Sequence, residues 1–374
     1  MQPNLYIGMM SGTSLDGVDT VIVDFSNAFP QIVTSLYAPM PQDLRDDLTD
    51  LMRGVTTLQK LGEIEQRLSW LYVEQVRQIL QQQRLSAEQI IAIGCHGQTV
   101  WHAPMGKYPF TMQLVDGNLL AAQTGITTIT DFRRKDIAYG GQGAPLVPAF
   151  HQAIFSNPKH LTVLLNIGGI SNVTILYPDG TVSGFDTGPG NTLMDNWIKL
   201  HHGRNFDQNG EWAAQGQVNT ALLQSCLRTE YFHQLPPKST GRELFNLPWL
   251  QQKLDALPQI AAVDVQATLL ELTAQTIVEQ LPKLQTETML WVFGGGANNP
   301  VLMQRLQDLL PNWRIRNSNQ SGIDADFMEA TAFAWLAYRT IHHQSGNLPS
   351  VTGASKNAIL GAIHLADKIN NKDL

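Results

Sequence analysis

Gly8-Met9-Met10-Ser11-Gly12-Thr13-Ser14-Leu15-Asp16-Gly17-Val18-Asp19 is the stretch on which the fold turns. Residues 5–9 before its polar centre and 20–25 after it read as β-strands, joined by a turn of Gly, Ser, Thr and Asp. Glycines at 8, 12 and 17 let a backbone come close to a ligand. Ser11, Thr13 and Ser14 add hydroxyls, and successive N–H groups in such a turn form an anion nest. Asp16 and Asp19 repel phosphate, so at least one of them has to act through a metal or a water. An ordinary hairpin turn competes with this, since Asp16-Gly17 is itself a strong turn dipeptide. A Walker-type loop is excluded: GxxxxGK[ST] is absent and the stretch holds no lysine.

A similar opening recurs further on. Residues 161–167 form a strand, Gly168-Gly169-Ile170-Ser171-Asn172 a turn, and 173–177 the return strand. Residues 182–185 then lead into Asp186-Thr187-Gly188-Pro189-Gly190-Asn191. Two such starts predict a duplicated, two-lobed fold. Asp186 closes a strand just before Gly-Pro-Gly, where a carboxylate can take a proton from a hydroxyl or a water, or serve as a turn or cap residue. Asp195 is assigned a structural role in the next helix. Residues 289–293 form a strand ending at Gly294-Gly295-Gly296-Ala297-Asn298-Asn299, before a helix over 301–310. That turn can lay a ligand against a helix N-terminus or simply be tight. Asp326 and Glu329 precede an apolar helix with capping-box spacing, and a substrate contact is compatible with it.

Between these lie helices over 43–52 and 58–83 and strands over 89–95, 110–115 and 126–130, an α/β alternation. His96-Gly97-Gln98-Thr99 ends the first of these strands and suits hydrogen bonding to a sugar. Metal binding by His96 with His102 lacks a third ligand nearby. Asp131-Phe132-Arg133-Arg134-Lys135-Asp136 is a dense charge run, either a solvated loop or an arginine fork for a carboxylate. The glycine-rich break at 139–145 places the domain boundary: 1–135 as the first lobe, joined by a C-terminal helix at 350–374, and 136–349 as the second.

The bulk numbers fit. A chain of 374 residues suits two domains. With 25 Lys and Arg against 32 Asp and Glu, the formal charge is −7, which argues against a nucleic-acid or anionic-membrane partner. Cys95 and Cys226 form no CxxC and read as two buried thiols. No leader and no run of roughly 20 apolar residues is seen, so a cytoplasmic location is expected.

Taken together, these segments resemble the anhydro-N-acetylmuramic acid kinase family. The Met-Ser-Gly-Thr-Ser-x-Asp-Gly-x-Asp and Phe-Asp-Thr-Gly-Pro-Gly-Asn strings carry most of the resemblance. It extends through His96–Thr99, residues 131–133, 141–148, 166–172, 293–298 and 329–334, essentially the whole chain. The resemblance implies an α/β, two-lobed actin-like ATPase (ribonuclease H-like) fold, with a duplicated sheet/helix core and an interlobe cleft. It implies hydrolytic opening of 1,6-anhydro-N-acetylmuramic acid with phosphorylation from ATP, in peptidoglycan recycling.

On this resemblance Asp186 is the base. Gly12, Thr13, Ser14, Leu15, Asp16, Gly17, Val18, Asp19, Asn166, Gly168, Gly169, Gly294, Gly295, Gly296 and Asn298 face ATP. Ser11, His96, Gln98, Arg133 and Glu329 face the sugar, with Arg133 on its lactyl carboxylate. Mg²⁺ is implied with unassigned ligands, and a homodimer stays open. The rivals are a conventional hexose or amino-sugar kinase of the same fold and an ATP-gated, chaperone-like binding protein.

Overall fold

The computed structural model describes residues 4–12, 14–27, 29–236, 238–241, 243–283, 288–317 and 325–367; Thr13 lies outside them. The chain divides into two units, one made of Met1–Ile154 with Phe327–Leu374, the other of Phe155–Asp326.

The first unit carries β1 (Leu5–Ser11), β2 (Gly17–Asp24), β3 (Gln31–Pro39), β4 (Ile90–Ala103), β5 (Phe110–Leu114) and β6 (Thr128–Thr130). The second carries β7 (Thr162–Ile167), β8 (Ile170–Leu176), β9 (Val182–Pro189), β10 (Thr288–Phe293) and β11 (Trp313–Asn317); β12 (Ala362–His364) returns to the first. The sheet of the first unit runs β12-β6-β4-β1-β2-β3, with β5 beside β4; that of the second runs β11-β10-β7-β8-β9. In both, three antiparallel strands are extended by parallel ones on the side of the first strand. The duplication expected from the two glycine hairpins is therefore present as one strand order used twice, in the manner of an actin-like ATPase core.

Burial explains the layers. Tyr6, Ile7 and Met9 of β1 are fully buried, as a strand covered on both faces requires. One cover is the helix Leu58–Gln83, whose Ile64, Leu68, Tyr72, Val76 and Ile79 follow helical spacing and are buried. Thr57 caps it by accepting from the Lys60 N–H. Against β1 and β4 also packs the helix Met328–Ile341, at backbone range. Gly8 and Gly94 are register partners on β1 and β4. A Cβ on Gly8 would lie 1.9 Å from the Ala330 carbonyl oxygen, and one on Gly94 2.1 Å from that of Phe333.

Several expectations are corrected. The helix starts at Met328 after a 3₁₀ turn, Ala325–Phe327; its N-cap is Phe327, with no side-chain cap, so Asp326 and Glu329 do not form a capping box. Of the helix expected over 350–374, residues 368–374 lie outside the described residues, and 350–367 do not form one helix. A short turn at Pro349–Thr352 ends at Gly353 (φ +80°), and β12 then pairs antiparallel with β6. The glycine-rich break lies inside the first unit, because the Gln142 N–H donates to the Thr352 carbonyl and the Ser355 N–H to that of Tyr139. Asp131–Asp136 is no solvated loop, since Phe132 and Asp136 are buried and a short helix starts at Arg134.

Adding a methyl group should therefore act oppositely at two glycines. Gly8→Ala overpacks against backbone and is expected to lose about 3 kcal/mol or more. Gly62→Ala, at an exposed position of the helix Leu58–Gln83 with nothing within 4 Å, is expected to gain about 0.5–1 kcal/mol. Denaturant unfolding checks both.

Candidate active site

In the second unit the end of β9 carries the candidate acid, Asp186. Asn172 of β8 faces Asp186, while Ser171 faces Gly188, so Thr187 is the extra residue of a β-bulge. Thr187 is fully buried and pairs its hydroxyl with that of Ser171 at 2.6 Å. Bulges re-aim side chains near functional sites, and this one follows directly on Asp186. Phe185 stays in the core while Asp186 is half-buried.

A strap from a distant part of the chain fixes that carboxylate. The Thr240 N–H donates to Asp186 Oδ2 at 2.9 Å, the Asp186 N–H donates to the Lys238 carbonyl at 3.1 Å, and the Tyr231 hydroxyl donates to the Asp186 carbonyl at 2.7 Å. Lys238 is buried under the strap, its ammonium 3.2 Å from the Tyr231 carbonyl and 4.8 Å from the Tyr231 ring centre. Burial raises the Asp186 carboxyl above the ordinary range; the Thr240 N–H pulls it back and the Glu243 charge pushes it up again. The sequence reading passed over residues 238–243. Their only signal was a run of small and charged residues, Lys-Ser-Thr-Gly-Arg-Glu, within a helical region.

The glycine turns of this unit are knit together. The Gly190 N–H donates to the Gly169 carbonyl, the Asn191 N–H to that of Gly168, and the Asn191 side chain to that of Ile167. They border a cleft of about 390 Å³ lined by Gly168, Gly169, Asn191, Thr192, Asp195 and Gly295. Asp195, assigned a structural role from sequence, is part of its wall. Gly294 (φ +75°) and Gly296 are required by packing, since a Cβ on either would meet Asn166 or Ile167 at 2.5 Å or less. Gly295 and Gly168 are not: their Cβ atoms would meet nothing nearer than 3.8 and 3.5 Å. Asn298 is exposed at the end of the 3₁₀ turn Gly295–Asn298.

In the first unit β1 and β2 hold the polar hairpin. Leu15 is buried with φ +56°, and its N–H donates to the Gly12 carbonyl at 3.2 Å. Asp16 Oδ1 accepts from the Ser14 hydroxyl at 2.6 Å and the Gly17 N–H at 3.0 Å. Gly17 is a packing glycine, whereas a Cβ on Gly12 would meet nothing nearer than Ser14 Oγ at 3.5 Å. Val18 is buried, and Asp19 faces Met10 across the ladder. Ser11 and Gln98 are buried and bonded to each other, with Gln98 also donating to the Gly12 carbonyl at 3.2 Å. They brace the hairpin.

Beside them Arg133 donates through Nε to His96 Nε2 at 2.9 Å and through Nη1 to the Gly143 carbonyl at 2.8 Å. Burial and Arg133 hold His96 well below the usual histidine range, so it is neutral with its proton on Nδ1. Burial lowers Arg133 to about 10, offset in part by Glu329. Glu329 keeps solvent contact, yet protein surrounds its carboxylate closely enough that desolvation raises it, while Arg133 lowers it. His96, Arg133 and Glu329 thus form one electrostatic group. Among the described residues no cluster of three or more His, Cys, Asp or Glu could hold a metal.

Residues 4–366 match the family model described as anhydro-N-acetylmuramic acid kinase. An anhydro-N-acetylmuramic acid kinase of Pasteurella multocida (strain Pm70) is 57% identical, over 97% of each chain. That of Haemophilus influenzae (strain ATCC 51907 / DSM 11121 / KW20 / Rd) is 56% identical, over 98% of this chain and 99% of its own. Among solved structures, (R)-2-hydroxyglutaryl-CoA dehydratase component A of Acidaminococcus fermentans aligns over 91% of this chain and 99% of its own, with 12% identity and a TM-score of 0.48.

Two measurements probe this geometry. Gly12→Ala and Gly295→Ala should fold with unchanged melting temperature yet raise the KM for the nucleotide about tenfold, because the methyl group occupies space the fold leaves open. Glu243→Gln removes a charge that raises Asp186. For Asp186 as the ionised base that the resemblance implies, a form lost as pH falls through its pKa, the acid limb of the kcat/KM profile should move to lower pH.

Proposed function

This chain belongs to the anhydro-N-acetylmuramic acid kinase family, and from that premise we propose that Asp186 is the base that opens the sugar. The protein is an ATP-dependent kinase that converts 1,6-anhydro-N-acetylmuramic acid, ATP and water into N-acetylmuramic acid 6-phosphate and ADP, in peptidoglycan recycling. The observation that carries the assignment of the base is the Asp186 carboxylate itself. It is half-buried at a bulge, held by one backbone N–H and raised by desolvation.

Asp186 takes a proton from a water as that oxygen bonds to the anomeric carbon. The bond from that carbon to O6 breaks, and O6 attacks the γ-phosphorus of ATP as its bond to the β,γ-bridging oxygen breaks and ADP leaves. The anhydro ring supplies its own acceptor oxygen, so one carboxylate serves where a hexose kinase would deprotonate a hydroxyl. Arg133 takes the lactyl carboxylate, with its remaining N–H groups beyond the bonds to His96 and Gly143. His96 holds Arg133 by accepting, and Glu329 accepts from sugar hydroxyls or the N-acetyl N–H.

The hairpin Gly12–Asp19 and the turns at Asn166, Gly168, Gly169, Gly294–Gly296 and Asn298 bind the nucleotide through backbone N–H groups and small side chains. Mg²⁺ is commonly held by one or two carboxylates together with phosphate oxygens and waters. Asp16, exposed on the hairpin, is the residue that would hold it through water. When bound, the ion neutralises charge on the phosphate oxygens. No helix among the described residues is long and apolar enough to cross a membrane. Dependence on ATP supports a cytoplasmic location.

Asp186→Asn is expected to lower kcat by at least about a thousandfold while calorimetry shows ATP binding unchanged. Turnover in ¹⁸O-water should label the anomeric oxygen of the product, and ADP release should be far faster with the anhydro sugar than with N-acetylglucosamine or glucose. Near-normal turnover in the Asn variant would remove Asp186 as base. An unlabelled product would return the enzyme to the conventional hexose kinases.

A further inference from the structure

Asp136 is fully buried, and its carboxylate accepts three hydrogen bonds from neutral donors in three places in the chain. Oδ1 accepts from the Asn347 side chain at 2.8 Å and the Thr352 hydroxyl at 2.8 Å; Oδ2 accepts from the Gly143 N–H at 2.8 Å. Its backbone carbonyl takes the Gly141 N–H at 3.0 Å. A Cβ on Gly141 would lie 2.2 Å from Asp136 Oδ2, so the glycine is what lets the loop close on the carboxylate. The other side of Gly143 points to function: its carbonyl accepts from Arg133 Nη1 at 2.8 Å. Gly143 is therefore gripped at its N–H by Asp136 and grips Arg133 with its carbonyl. Asn347 is itself anchored, its Oδ1 accepting from the Ala358 N–H at 2.7 Å.

We propose that Asp136 is a positioning residue for sugar recognition, setting the Arg133 guanidinium through Gly143 and tying that setting to the 347–358 segment. The inference rests on the reading of Arg133 as the partner of the lactyl carboxylate. A buried carboxylate costs desolvation that neutral donors only partly return. A carboxylate accepts at both oxygens, whereas an amide at this position turns a donor toward Gly143 or toward Asn347 and Thr352.

The test measures equilibrium binding of 1,6-anhydro-N-acetylmuramic acid and of ATP, each by calorimetry, in the full-length wild type, Asp136→Asn, Thr352→Val, Arg133→Ala and Asp136→Asn/Arg133→Ala. Binding does not depend on turnover, so inactive variants remain informative. Expected is a rise of about tenfold or more in the sugar Kd for Asp136→Asn, a smaller rise for Thr352→Val and an unchanged ATP Kd. In the Arg133→Ala background, Asp136→Asn should have no further effect on the sugar Kd. If Arg133→Ala leaves the sugar Kd unchanged, both the Arg133 reading and this inference fall. If Arg133→Ala weakens the sugar but Asp136→Asn does not, or weakens sugar and ATP alike, or adds its full effect without Arg133, only the Asp136 inference falls. Should Asp136→Asn not fold, Thr352→Val alone decides, by whether it weakens the sugar selectively.

Discussion

Much of the first unit depends on a steric constraint between a helix and two strands. The helix Met328–Ile341 lies so close to β1 and β4 that neither Gly8 nor Gly94 has room for a side chain. Its facing residues are correspondingly small, with Ala330, Ala334 and Ala337 almost completely buried. The approach fixes the helix against the strands to within a fraction of a side chain. It brings the Phe333 ring to 4.7 Å from the His96 ring. Through the same helix it sets Glu329 within electrostatic reach of Arg133. A larger residue at either glycine would displace the very helix turn that carries the acid.

The second unit solves a different problem, holding an acid ready without fixing it by a cation. Asp186 receives one backbone N–H and has no ion-pair partner within salt-bridge distance among the described residues. Burial and the Glu243 charge raise its proton affinity, and the Thr240 N–H limits the rise. A lysine in direct contact would make it a poorer base by stabilising the ionised form. Lys238 is close in sequence, yet it points instead at the carbonyls of Tyr231 and Phe232 and over the Tyr231 ring. Its charge supports the strap from below and leaves the carboxylate basic.

What was legible in the sequence divides along physical lines. Both hairpins, the acid after the second and the glycine turn before the helix Pro300–Leu309 were visible, because small residues and turn chemistry are local signals. Glycines that look alike were not separable by composition. Gly8, Gly17, Gly294 and Gly296 are demanded by neighbouring atoms that arrive from elsewhere in the fold, whereas Gly12, Gly168 and Gly295 meet no such demand. The strap at 238–241, the three hydrogen bonds on the Asp136 carboxylate and the pairing of β12 with β6 were not legible either. Each depends on partners far away in sequence, which periodicity and propensity do not report. Ser11 and Gln98 show the same. The fold bonds them to each other across the sheet, a pairing that their polarity alone does not report.

The split composition of the first unit bears on how the chain is made. Synthesis delivers β1 to β6 first, and the second unit, continuous from Phe155 to Asp326, next. The helix that closes over Gly8 and Gly94 emerges only after both. The strands β1 and β4 therefore precede the helix that covers Gly8 and Gly94, while β7 to β11 of the second unit are all translated before that cover arrives. Completion of the first unit is thus timed by a segment translated after the second unit, and a nascent chain stalled before residue 328 would leave β1 and β4 uncovered on that face.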